Sequence, residues 1–149
     1  YESNTDFAGP GAASFGASLV DDASGSDVYA TTSMGSLASG LFGVGVVIDR
    51  AGDDRYENGT PGAGWAEGAG AYGAGILVDL DGSDSYRGEV LCQGVGGPRG
   101  FGSIIDVRGN DSYASTGPDF DNRATRPRFL SSITVDTRAG RPASARAAS

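Results

Sequence analysis

The sequence predicts an all-β fold: a parallel β-solenoid (β-helix) of about four to five coils, each 27–30 residues long. Three observations predict it. One eight-residue motif recurs at a nearly fixed interval. Glycine supplies 26 of the 149 residues, and each glycine costs about 1 kcal/mol in a helix interior relative to alanine. No window free of Gly and Pro sustains an apolar i, i+3, i+4 pattern. A period below 30 is short for a propeller blade of roughly 40 residues, and suits one coil with two or three short strands.

The motif is Asp-x-x-Gly-x-Asp-x-Tyr. Its copies run Asp22 to Tyr29, Asp49 to Tyr56, Asp79 to Tyr86 and Asp106 to Tyr113, and the leading Asp returns after 27, 30 and 27 residues. Six residues before each leading Asp stands Gly16, Gly43, Gly73 or Gly100; two before it stands Val20, Val47, Leu77 or Ile104. The unit is therefore a short apolar strand, a Gly/Asp turn and a Tyr. Tyr1 reads as the closing Tyr of a further copy. Ile133-Thr-Val-Asp136 keeps a strand and a leading Asp but loses the rest, as terminal repeats do. The solenoid domain is accordingly residues 1–136, with its degenerate coil near 133–140, and 137–149 is a basic Arg/Ala/Pro tail.

Stacking such coils about 4.8 Å apart aligns like with like, so Tyr29, Tyr56, Tyr86 and Tyr113 form a ladder and four coils rise roughly 19 Å. Within each strand the two faces differ. Val44, Val46, Ile48 and Ala74, Ile76, Val78 make the better core candidate. The other face, Gly43, Gly45, Val47 and Gly73, Gly75, Leu77, is smooth. Glycine there marks a close approach, either by the opposite wall of the same coil or by a neighbouring molecule.

Composition excludes several functions. Histidine is absent, which removes Ser-His-Asp and Cys-His catalysis and His-based metal sites. A lone cysteine, Cys92, removes internal disulfides and Cys clusters, and is expected to be a small, at least partly buried side chain. A formal charge of −8 with a pI near 4.3 argues against nucleic acid as a partner. No apolar run reaches the roughly 18 residues of a membrane-spanning helix. The chain opens on Tyr1 rather than Met, which reads as a processed form or a fragment. Charge is split along the chain. Residues 1–121 hold 18 acids and 5 Arg, whereas 122–149 hold 6 Arg and Asp136 alone. The tail is expected to pack along the acidic solenoid or against a neighbouring chain.

The turns carry the chemistry. Stacked carboxylates about 4.8 Å apart repel by roughly 0.9 kcal/mol per pair at ε ≈ 80 and about 3.5 kcal/mol at ε ≈ 20. They need protons, hydrogen bonds or a cation. Calcium takes six to eight oxygen ligands from carboxylates and carbonyls, and magnesium demands a stricter octahedron. The candidate ligands are the pairs Asp22/Asp27, Asp49/Asp54, Asp79/Asp84 and Asp106/Asp111. The alternative is that each Asp accepts backbone N–H groups in its own turn, with no metal.

The Gly-x-Asp-x-Tyr turns, such as Gly52-Asp-Asp54-Arg-Tyr56, resemble the second half of the RTX calcium-binding nonapeptide. RTX proteins repeat that turn about every nine residues, whereas this chain has one per coil. The whole unit looks more like the Gly/Asp-rich tandem repeats of secreted bacterial proteins. That resemblance implies an extracellular or cell-surface β-solenoid with calcium in its turns and no enzyme activity.

Other motifs are weaker. Gly73-Ala-Gly-Ile-Leu-Val resembles part of a dinucleotide motif but lies in a strand that ends in Asp. Asp53 beside Asp54 suggests paired acids, yet Ser and Asn replace Asp53 in the other copies. Trp65 and the tyrosines offer surfaces for sugar stacking. Two function classes result: a structural or filament protein that self-associates through uncapped solenoid ends, or an accessory module that docks on a glycan or a larger protein complex.

Overall fold

The computed structural model describes residues 1–58 and 64–115, and the backbone of 133–136. It is all-β: no helix occurs among the described residues. Thirteen strands run in chain order: β1 (Glu2–Ser3), β2 (Ala13–Ser14), β3 (Ala17–Asp22), β4 (Val28–Thr31), β5 (Gly40–Leu41), β6 (Val44–Asp49), β7 (Arg55–Asn58), β8 (Gly70–Ala71), β9 (Ala74–Asp79), β10 (Ser85–Gly88), β11 (Phe101–Asp106), β12 (Ser112–Ser115) and β13 (Ile133–Asp136). They form three parallel sheets, β1-β4-β7-β10-β12, β13-β11-β9-β6-β3 and β2-β5-β8. Each wall of the solenoid is built from one strand per coil, and the chain makes about four coils.

The repeat sets the register. Leading Asp pairs with leading Asp: Asp22↔Asp49, Asp49↔Asp79, Asp79↔Asp106 and Asp106↔Asp136. Tyr29↔Tyr56, Tyr56↔Tyr86 and Tyr86↔Tyr113 align in the same way. Strand β13, Ile133–Asp136, pairs in register with β11. The expected packing of the tail 137–149 lies outside the described residues.

The predicted core face is corrected. Val47 and Leu77 are fully buried and Ile104 is nearly so, whereas Val44 is 43% exposed and Val46, Ile48, Ile76 and Val78 are half-buried. The smooth face points inward because the opposite wall of the same coil approaches it closely. A methyl group at Gly45 would collide with the carbonyl oxygens of Ser39 and Gly11, and one at Gly75 with those of Ala69 and Ala38. Glycine on this face leaves room for backbone, and the single aliphatic per coil fills what remains. Fully burying a Leu such as Leu77 contributes about 1.5–3 kcal/mol. Leu37, Ala38, Ala66 and the buried tyrosines complete the core.

Between the short strand and the long strand of each coil, Phe15, Phe42, Tyr72 and Arg99 turn a left-handed corner at φ 48–55°. Non-glycine residues there cost of order 1–3 kcal/mol each and persist only where neighbours hold them. Here the exposed rings stack: Phe15 on Phe42 at 5.1 Å and Phe42 on Tyr72 at 4.9 Å.

Candidate metal centre

The Gly-x-Asp turn sits at the corner between the second and first sheets. Turn glycines stack so closely that the carbonyl of Gly25 occupies the place a side chain would take at Gly52, and that of Gly52 the place at Gly82. Backbone N–H groups of one turn donate to the next: Gly25 to Ala51, Gly52 to Asp81 and Gly82 to Arg108, at 2.9–3.1 Å. This packing draws the carboxylates of successive coils into one buried row.

The two Asp of each motif have different roles. The leading Asp cap their own turns weakly: Ser24 N–H donates to Asp22 Oδ1 and Ala51 N–H to Asp49 Oδ1, both at 3.3 Å. Their other oxygens accept from tyrosine hydroxyls. Tyr29 donates to Asp49 at 2.8 Å, Tyr56 to Asp79 at 2.8 Å and Tyr113 to Asp106 at 2.7 Å. The second Asp reach across coils. The N–H of Asp27 donates to Asp54 Oδ1 at 2.7 Å, that of Asp54 to Asp84 Oδ1 at 2.7 Å, and that of Asp84 to Asp111 Oδ1 at 3.0 Å. Turn capping within one motif therefore describes the leading Asp; the second Asp cap the coil before.

The candidate ligands come together in triads. Asp54, Asp79 and Asp84 bring one oxygen each within 4.8 Å of one another, and Asp84, Asp106 and Asp111 do the same. The pairs Asp79/Asp84 and Asp106/Asp111 fall in one group each, joined by the second Asp of the preceding coil, and Asp84 belongs to both. Among the described residues, Asp22/Asp27 join no such group, nor does Asp49, which separates it from its partner Asp54. The third member is encoded in the register, not in the motif. Only stacking with an offset of one repeat reveals it.

Hydrogen bonds do not saturate the row. Asp54 Oδ2, Asp79 Oδ1 and Asp84 Oδ2 are buried without a partner, and so is the Tyr86 hydroxyl. Burial raises the carboxyl groups of Asp54, Asp79, Asp84 and Asp106 above the usual carboxylate range, and the neighbouring Asp charges raise them further. Buried, unpartnered carboxylate oxygens are costly. A cluster of hard oxygen donors such as this could hold a metal ion. The alternative occupant is a proton on each raised carboxyl.

A second buried polar group escaped the motif. Gly40↔Gly70↔Gly96 fixes the alignment of the loops, so Leu37, Glu67 and Gln93 share one column. Glu67 thus stands where coil one has a core leucine. It is fully buried, neither carboxylate oxygen has a partner, and burial pushes its carboxyl up to about 8. Asn58, also fully buried, has both amide atoms unpartnered. Cys92 is half-buried as expected; burial raises its thiol to about 11, and Glu67 adds to the shift. Trp65 lines an apolar groove with Phe7, Met34, Phe42, Tyr72 and Pro98.

Comparison of the chain with protein-family models, with curated proteins and with solved structures gives no match. Among the described residues, no helix is long and apolar enough to cross a membrane.

Proposed function

We propose that this chain is a non-enzymatic structural repeat protein, a calcium-stabilised β-solenoid of an extracellular or cell-surface assembly. One observation carries the reading: at each of two coil junctions three carboxylates bring one oxygen each within 4.8 Å of one another, and Asp54, Asp79 and Asp84 of the first have buried oxygens without a hydrogen-bond partner. A divalent cation there converts the repulsion between stacked coils into a bridge. Weak calcium sites of extracellular modules work at roughly 10⁻⁴–10⁻³ M, a concentration met outside the cell. The RTX-like Gly-x-Asp-x-Tyr turns and the absence of His from the chain accord with this reading.

Assembly follows from the edges. Among the described residues strand β3 is the outer strand of its sheet, and beside it Phe15, Leu19 and Val28 are exposed. An unpaired parallel edge with apolar side chains favours end-to-end association. The second reading, an accessory module on a glycan or a larger protein complex, draws on the exposed column Phe15, Phe42 and Tyr72 beside the Trp65 groove.

The test is thermal unfolding in EDTA and again in millimolar calcium, with electron microscopy of both samples. A midpoint raised by calcium supports the cation, and fibres support the assembly. An unchanged midpoint, with no ion density between Asp54, Asp79 and Asp84, leaves protonated carboxyls as the occupants.

A further inference from the structure

The outer face of the third sheet carries a cleft of about 260 Å³. Leu41, Ala69 and Ala71 form its floor, with Phe42 and Tyr72 on the side where the short strands end and Trp65 on the side where they begin. The cleft arises where the repeat is broken. Phe7, Gly35 and Trp65 occupy corresponding left-handed corners at φ 54°, 63° and 58°, so the middle coil offers no side chain there. The ring of Phe7 takes the place a side chain would have at Gly35, and the ring of Trp65 takes the place at Gly97. Both rings lie on glycine backbone, and the short strands between them bear only Gly, Ala and Leu. The hydroxyl of Ser39, at the floor, already donates to the Gly35 carbonyl. A polar ligand would therefore strand its hydroxyls or amides in this cleft.

The two ends of the cleft carry opposite charge. At one end Pro98 lines it, and Arg99 follows. The pairing of Phe101 with Ala74 places Arg99 one coil beyond Tyr72, in the same left-handed column. Arg99 is exposed, and among the described residues it forms no ion pair. At the other end Asp6 precedes Phe7 and accepts the Met34 N–H at 2.9 Å. We propose that the cleft binds a medium-chain aliphatic carboxylate, with its head at Arg99 and its tail running over Ala71 and Trp65 toward Met34. Charge fixes the direction, because Asp6 repels a carboxylate and Arg99 attracts one. Size sets the chain length. A water-sized group takes roughly 30 Å³, so the cleft holds about nine methylenes. From the coil of Met34 to that of Arg99 is two strand spacings, about 10 Å, so the space is long and narrow and suits one alkyl chain. Apolar concavity with a single charged group at one end is the usual form of a small-molecule site. The site lies on the third sheet, away from the carboxylate row, and depends on neither the cation nor the assembly.

Trp65 is the only tryptophan of the chain, so its emission reads the cleft directly. The experiment titrates the full chain with decanoate, below the micellar range, and follows that emission. A saturable change is expected. Affinity should rise about fourfold per methylene from hexanoate to decanoate and level off in longer acids, once the cleft is full. Decanol has the same tail without the charge and is expected to bind at least ~10-fold more weakly, the loss of a hydrogen-bonded charge pair. Arg99→Asn, a residue that left-handed backbone tolerates, should weaken decanoate by the same factor and leave decanol unchanged. Ala71→Phe fills the floor and should abolish binding of both; Ala71→Leu stands in where circular dichroism shows that Ala71→Phe fails to fold. No saturable change in the parent, decanol bound as tightly as decanoate, or undiminished decanoate binding in the folded Arg99 and Ala71 variants overturns the proposal.

Discussion

Asp54 Oδ1 accepts the backbone N–H of Asp27 from one coil earlier at 2.7 Å, and its second oxygen lies buried with no partner. That division of labour repeats at Asp84, which caps Asp54 at 2.7 Å. One oxygen of each residue holds the coils in register, and the other is left for a cation or a proton.

Asp84 is the residue that both triads share, so it separates the two occupants. Asp84→Asn keeps an oxygen to cap the Asp54 N–H and removes a buried charge. In EDTA the variant is expected to be as stable as the parent or more so. In millimolar calcium it is expected to lose ~1–3 kcal/mol relative to the parent, the range for stranding buried polar partners. Asp27→Asn, which lies outside both triads, is expected to show no calcium-dependent difference. Chemical denaturation of the three proteins in both buffers measures this.

The metal-free protein is expected to lose stability as pH rises. The carboxyls of Asp54, Asp79, Asp84 and Asp106 are raised on folding, so the native state holds protons more tightly than the unfolded chain. Their contribution is complete below the unfolded value of 3.8 and is lost as pH climbs through the raised values. Melting in EDTA from pH 5 to pH 8 should show a falling midpoint, and calcium should flatten the slope. A midpoint that rises with pH in EDTA contradicts the buried row.

Glu67 adds an independent slope. Its carboxyl rises from 4.5 to about 8 through burial, so its contribution to folding is complete below 4.5 and is lost as pH climbs from there to about 8. Glu67→Gln is expected to remove this part of the pH dependence while calcium binding, followed by titration calorimetry, stays unchanged. Restoring the column's apolar character with Glu67→Leu is expected to raise the midpoint at pH 8 more than at pH 5.

The hydroxyl of Tyr56 is worth testing apart from its ring. Tyr56→Phe keeps the stack and removes a 2.8 Å bond to buried Asp79. The expected loss is about 1.5–3 kcal/mol, as for hydrogen bonds to charged groups. Tyr56→Ala also empties the core and is expected to cost ~3–5 kcal/mol. Equilibrium urea denaturation distinguishes the two.

The inverted strand face predicts opposite sensitivities at adjacent positions. Leu77→Ala is expected to cost ~2–5 kcal/mol because its side chain is fully buried. Val44→Ala, on the face that periodicity favoured, is expected to stay within about 0.5 kcal/mol. Gly45→Ala is expected to prevent folding of the coil, since the carbonyls of Ser39 and Gly11 fill the space. Circular dichroism melts of the three variants check the ranking.

The sequence by itself determined the coil. The 27- and 30-residue returns of Asp22, Asp49, Asp79 and Asp106 dictated parallel strands, their register and the Tyr29–Tyr56–Tyr86–Tyr113 stack. A repeat needs no knowledge of the third dimension, because identical units stack by translation. Which face turns inward was decided only by tertiary structure. Alternation marks two faces of a strand, and the larger side chains on one of them suggested the core. The walls of this narrow solenoid stand so close that Gly45 and Gly75, not valine, fit between them. The grouping of the acids was decided in the same way. Sequence placed Asp79 beside Asp84 and Asp106 beside Asp111, but Asp54 joins the first pair and Asp84 the second only once coils are stacked. Glu67 carried no motif at all. Its burial follows from sharing a column with Leu37, a neighbour 30 residues away in the chain and one strand spacing away in space.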